Sequence, residues 1–252
     1  MQYAVVTGTS RGLGESIAKK LMKIGIHIIG VSRNENEGLA LYAKECGTSY
    51  VHVPCDIRNP KQVEEVFTKI GETVFDQRPE LVYLINNAGV VEPIDHVGNL
   101  DAMKLSDHVN VNLLAPMVIT NLFLQRAEQT ATCLITVNVT SGAGESAVYG
   151  WSAYCSTKAG LNRYTETVAL EQEERGTNNK TIAFSPGIMD TKMQDQIRSS
   201  TEDAFKEVEK FKQYKENNLL KSTDRIAGAL ADLLRDGNKL QNGKIYYVKE
   251  LL

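Results

Sequence analysis

The first two dozen residues constrain this chain most. Residues 3–6 form a short apolar run of strand formers that ends at Thr7-Gly8. TGTSRGLG, residues 7–14, leads directly into residues 15–24, where Ile17, Leu21 and Ile24 recur at helical spacing and Gly25 stops the run. A strand, a glycine turn and a helix in that order place free backbone N–H groups at a helix start, and Gly8, Gly12 and Gly14 let another group approach the backbone closely. The spacing is not GxGxxG, so the strand–turn–helix context carries the reading.

The same alternation continues. Strand-like runs cover residues 26–31, 50–53, 81–85, 133–139, 181–184 and 244–248. Helical patterns cover 35–46, 60–75, 101–111, 113–128, 148–175, 194–215 and 223–235. The early strands are apolar on both faces, as strands buried between two helix layers must be. The expected fold class is α/β, a single doubly wound Rossmann-type parallel sheet with helices on both faces. No linker or repeat interrupts the 252 residues, so one domain over 1–252 is expected. Residues 194–218 stand apart, charged and with few strong apolar anchors; they read as a solvated helix or as a substrate lid.

Bulk properties exclude several classes. A net charge of -3 gives no basic field for nucleic acid. No apolar run is long enough to span a bilayer, and the N-terminus lacks the pattern of a signal peptide. Cys46, Cys55, Cys133 and Cys155 show no metal-ligand spacing, so no metal is expected and the four read as free thiols. A cytoplasmic protein is the expectation.

The glycine turn fits a dinucleotide pyrophosphate, with Gly8, Ser10, Arg11, Gly12, Leu13 and Gly14 as the binding set. After the second strand an acid would select NAD. Here Ser32-Arg33-Asn34 stands instead. Arg33 can pair with a 2′-phosphate through its planar fork, and Arg11 can reach the same group, so NADP(H) is expected. Asp56 either accepts from the adenine amino group or caps a helix, and Ile57 can pack on the adenine ring. Asn86-Asn87-Ala88-Gly89 gives small residues beside the cofactor, with Asn87, Ala88 and Gly89 in contact.

SGAGESAVYGWSAYCSTK, residues 141–158, holds a hydroxyl at Ser141, a phenol at Tyr154 and an ammonium at Lys158. On a helix, Lys158 lies one turn beyond Tyr154, and a nearby cation favours the phenolate. Tyr154 is therefore a candidate proton donor and acceptor.

TGTSRGLG, Asp56-Ile57, NNAG at 86–89, Asn112, Ser141, YCSTK at 154–158 and Pro186-Gly187, in this order, resemble the short-chain dehydrogenase/reductase family over essentially the whole chain. The resemblance implies that Tyr154 protonates a carbonyl and that Ser141 binds the carbonyl oxygen. It implies that Lys158 lowers the phenol pKa and holds the nicotinamide ribose, and that Asn112 supports a proton-supplying water. Pro186, Gly187, Ile188 and Thr191 would contact the nicotinamide side of the cofactor, with Tyr154 and Lys158. Within the family, GWSAYCSTKAG, ALE at 169–171 and PGIMDTKMQ at 186–194 resemble the sepiapterin and bacterial benzil reductases. The acid that anchors a pterin near the C-terminus is replaced by Tyr247, and the nearest acid is Glu250. The implied activity is NADPH-dependent reduction of a small vicinal diketone. A pterin reductase and a catalytically silent NADP-binding sensor are the alternatives. Tyr149, Trp151 and Met193 would line an aromatic-friendly pocket with Ser141, Tyr154 and Gly187; Tyr149 and Trp151 alternatively pack the helix start. By the same resemblance, the helices at 113–128 and 148–175 pair two copies into a homodimer.

Overall fold

The computed structural model describes residues 1–237 and 240–252. In chain order its elements are β1 Gln2–Thr7, α1 Gly12–Lys23, β2 His27–Ser32, α2 Glu37–Glu45, β3 Tyr50–Pro54, α3 Pro60–Phe75 and β4 Leu81–Asn86. There follow α4 Ala102–Val109, α5 Ala115–Thr130, β5 Cys133–Val139, α6 Ser152–Glu174 and β6 Lys180–Ser185. The chain closes with α7 Lys192–Arg198, α8 Val208–Glu216, α9 Thr223–Arg235, β7 Ile245–Tyr247 and α10 Val248–Leu251. The seven strands form one sheet in the order β3-β2-β1-β4-β5-β6-β7, every pair parallel. Strand order reverses between β1 and β4. In doubly wound sheets the crevice at the C-terminal ends of such strands is where ligands bind.

Alternate side chains of each strand enter opposite cores. Ala4, Val6, Tyr83 and Ile85 pack with Ile17, Leu21, Ile226, Leu230 and Leu234 under α1 and α9. Val5, Val82 and Leu84 pack with Val63, Phe67, Ile119 and Phe123 under α3 and α5. This double burial is why the strands read as continuous apolar runs. A third, smaller core of Val91, Ala143, Trp151, Tyr154, Ile197, Phe205 and Val208 sits apart from both.

Five local expectations need correction. The helical pattern at 194–215 is two helices, α7 and α8, with residues 199–207 between them. That stretch is also well anchored, because Ile197, Phe205 and Val208 are buried. The patterns at 101–111 and 113–128 form one helical run, joined by a π-turn at Asn110–Leu114. The helix expected at 148–175 begins only at Ser152, after the positive φ of Gly150, and the last strand gives way to α10 at Val248.

Candidate active site

The turn after β1 is shaped by close contacts. A Cβ at Gly14 would lie 2.2 Å from the Gly8 oxygen and 2.5 Å from Asn87 Nδ2, so only glycine allows α1 to pack there. Gly8 and Gly12 both take positive φ, +79° and +65°. Among the described residues, a Cβ at Gly12 would meet only Thr191 Cγ2, at 3.9 Å. Thr191 thus faces the turn from the far side of the crevice. Arg11 is the N-cap of α1 and its side chain accepts from none of the first-turn N–H groups. A helix start left uncapped beside glycines suits the pyrophosphate of a dinucleotide, and these residues fit that group.

Thr7 ties the two sides of the crevice together, and the sequence reading missed it. Its hydroxyl accepts from the backbone N–H groups of Asn87 and Ala88, both at 3.0 Å, while Asn87 Nδ2 donates to the Thr7 carbonyl at 2.8 Å. At the end of β2, Arg33 is exposed, and among the described residues no hydrogen bond or ion pair holds it. The Ser32 hydroxyl donates to the Asn34 carbonyl at 2.8 Å and is turned inward. Asp56 is gripped by Arg58, whose Nε and Nη2 donate to its two oxygens at 3.0 and 2.5 Å. The Arg58 hydrogen bonds hold the Asp56 carboxyl below the usual range, with Arg33 adding to the effect. Asp56 is not the cap of α3; Asn59 is, accepting from Lys61 and Gln62.

Tyr154 and Lys158 lie on one face of α6, with the Lys158 Nζ 5.8 Å from the phenol ring centre. Both side chains are buried. Lys158 donates to the Val139 carbonyl at 2.9 Å. Burial brings its pKa down to about 8. Burial also pushes the Tyr154 phenol above its ordinary 10, and the hydrogen bond with Ser141 opposes this only in part. Desolvation thus sets the direction of the Tyr154 shift in the cofactor-free protein. Ser141, two residues after β5, has extended backbone, and its Oγ accepts from the Ala143 N–H at 3.2 Å.

Asn112 sits in the π-turn, a distortion that often marks functional positions. Its Oδ1 accepts from the Val90 N–H at 2.9 Å and its Nδ2 donates to the Val90 carbonyl at 2.7 Å. A Cβ at Gly89 would come within 3.3 Å of Asn112 Oδ1 and 3.7 Å of Lys158 Nζ. The strand end, the π-turn and α6 thus converge on one point.

The substrate-side residues separate. Trp151 is buried, stacked on Phe205 at 4.8 Å and edge-on to Tyr154 at 5.3 Å. It packs the helix start. Tyr149 is exposed, stacked on His96 at 6.4 Å, with the Lys206 ammonium 5.6 Å from its ring centre. Met193 lies against the small core that contains Trp151 and Tyr154. Gly187 has positive φ, and a Cβ there would meet Val248 of α10 at 3.5 Å. The Ile188 carbonyl is taken by the Lys221 N–H at 3.2 Å. Pro186 is buried immediately after β6. The C-terminal position that carries Tyr247 is reached by an acid from elsewhere: the Tyr247 hydroxyl donates to the Glu145 carboxylate. Long-range pairings of this kind leave no local pattern in a sequence.

Among the described residues, no group of three or more His, Cys, Asp or Glu side chains is placed to hold a metal ion. No helix among them is long and apolar enough to cross a membrane.

Comparison with known proteins agrees with this geometry. The short chain dehydrogenase family profile matches residues 2–202. The chain is 37% identical to a benzil reductase ((S)-benzoin forming) of Bacillus subtilis over 252 residues, covering all of both chains. It is 34% identical to the Bacillus cereus protein of the same description, over 99% of this chain and 100% of that one. Among solved structures, the KRED1-Pglu enzyme superposes with a TM-score of 0.81 at 26% identity, over 98% of this chain and 100% of that one. The chain belongs to the short-chain dehydrogenase family and is an oxidoreductase acting on carbonyl and hydroxyl groups with a nicotinamide cofactor.

Proposed function

We propose that this enzyme reduces one carbonyl of a vicinal diketone such as benzil to the hydroxyketone, using NADPH. The observation that carries the reading is the Ser141–Tyr154–Lys158 group, with Tyr154 and Lys158 buried, in a chain collinear with two benzil reductases. The cofactor supplies hydride to the carbonyl carbon. Ser141 and Tyr154 hold the carbonyl oxygen. Tyr154 starts as the neutral phenol, the state a general acid needs. As the proton leaves, the phenolate forms beside the Lys158 ammonium, and the attraction grows in that step. NADPH is favoured over NADH by Arg33 and Arg11, exposed cations near the turn, and by the lack of an acid at Ser32-Arg33-Asn34. Residues 194–218 are proposed to cover the substrate, because α7 and α8 flank the small core around Trp151 and Tyr154.

A second reading is reduction of a pterin side-chain ketone. Glu145 favours it, since its carboxylate reaches the position where pterin reductases carry their acid. The test is cofactor oxidation with NADPH and NADH against benzil, 1-phenyl-1,2-propanedione and sepiapterin. Turnover of the diketones with NADPH supports the first reading. Turnover of sepiapterin alone overturns it. NADPH binding with no turnover of any carbonyl supports a silent sensor instead.

A further inference from the structure

His108 ends α4 one helical turn before Asn112 and is fully buried. Its Nδ1 lies 2.7 Å from the Glu92 carbonyl. A carbonyl can only accept, so Nδ1 carries a proton. Its Nε2 lies 2.9 Å from Asn112 Nδ2 and 3.1 Å from Thr157 Oγ1. The Asn112 amide is oriented by its two bonds to Val90, which put its NH2 toward Nε2. In the neutral ring, Nε2 then accepts from that NH2. The ring also meets Tyr154 edge-on at 6.1 Å. One side chain therefore touches the loop after β4, the π-turn and two residues of the catalytic helix.

We propose that His108 is a positioning residue for carbonyl reduction: as the neutral Nδ1–H tautomer it locks the Asn112 amide, and through Val90 and Gly89 it fixes the packing around Lys158 and Tyr154. Proton loss or gain elsewhere does not explain the arrangement. Lys158, on α6, is the charged group that acts on the ring; it and burial oppose protonation, while the Glu92 and Ala153 carbonyls favour it, and the balance lies below the ordinary 6.5. On its own helix, Asp107 is directed to Arg58, and the Glu92 carboxylate is taken by Gln196. Protonated, His108 would set an Nε2–H against the Asn112 NH2 at 2.9 Å, and the amide would have to turn away from Val90.

The inference rests on Tyr154 and Lys158 acting as proposed above, so the test has one arm that needs no activity. A long-range 1H–15N correlation spectrum of the cofactor-free wild type at neutral pH should show His108 protonated at Nδ1 only. The Nε2–H tautomer or a doubly protonated ring overturns the proposal, even if no carbonyl substrate is found. With a turned-over diketone, His108→Phe keeps the ring but loses both bonds, and kcat should fall about 10²-fold, the scale of a small displacement of reacting groups. NADPH binding should hold, because Thr7 fixes Asn87 and Ala88 independently. His108→Gln places an acceptor near Asn112 and should recover most of kcat. The wild type should lose kcat in acid as His108 protonates, and the Gln variant should not. Wild-type kcat in the Phe variant, or an acid limb unchanged in the Gln variant, overturns the proposal. If the Phe variant does not fold, the tautomer and the Gln pH profile decide.

Discussion

The phosphate turn and the aromatic platform under Tyr154 both depend on a glycine, yet they differ in where the dependence comes from. At Gly8 and Gly14 the constraint arises within one strand–turn–helix unit and the neighbouring strand end. At Gly150 it comes from far along the chain: with φ +83°, a Cβ would lie 2.1 Å from the Ala204 oxygen. Phe205 then stacks on Trp151, and Phe211 meets both rings edge-on. The cofactor side is thus built from the turn's own backbone and the end of the neighbouring strand, and the substrate side from a stretch that folds back onto the start of α6. Cofactor binding and substrate binding should therefore be separable by mutation.

The largest expected effect falls where the two sides meet. Tyr154→Phe should lower kcat by about 10²–10⁴-fold, the usual contribution of a general acid, while NADPH titrates with unchanged affinity. Full turnover in that variant would remove the phenol from proton transfer. Phe205→Ala attacks the substrate side alone. It should cost about 3–5 kcal/mol in urea unfolding, since the ring is wholly buried, and should raise KM for the diketone. An equal loss of NADPH affinity would break the separation drawn above.

Arg33→Ala attacks the cofactor side alone. Losing a charge-assisted hydrogen bond of roughly 1.5–3 kcal/mol should weaken NADPH about 10- to 100-fold and leave NADH unchanged, read by fluorescence titration. Parallel losses for both cofactors would remove Arg33 from phosphate recognition. The smallest effect concerns pH. Lys158 titrates near 8 in the folded protein against an ordinary 10.5, so the unfolded chain binds more protons between those values. The stability of the cofactor-free protein should therefore rise between pH 8 and 10.5, by at most about 1.4 kcal/mol per pH unit from this group, and not beyond. Lys158→Met should remove that slope; a slope that persists unaltered assigns it to other groups.

Much of this was legible in the sequence for identifiable reasons. Strands buried on both faces are apolar throughout, so β1, β2, β4 and β5 announced themselves. The glycines of the turn lie within one unit, and Tyr154 and Lys158 are four residues apart. His108 and Thr7 were not legible, because a histidine or threonine reveals nothing until its partners are placed. Trp151 read equally as pocket wall and as packing; Phe205, more than fifty residues on, decided for packing. The stretch at 194–218 looked weakly anchored because its few apolar residues do not repeat at a helical period. They converge on one surface only when α7 and α8 fold back.

By itself the sequence determined the layer architecture, the glycine turn and the set of groups able to perform carbonyl chemistry. Those depend on side-chain period and on short spacings, which are properties of local chain. Tertiary structure decided the protonation of that set and its support. Burial raises the Tyr154 phenol and lowers Lys158 because desolvation depends on everything packed around a group. The same packing gives Asn112 its fixed amide, Tyr247 its acid and Trp151 its place beneath Tyr154.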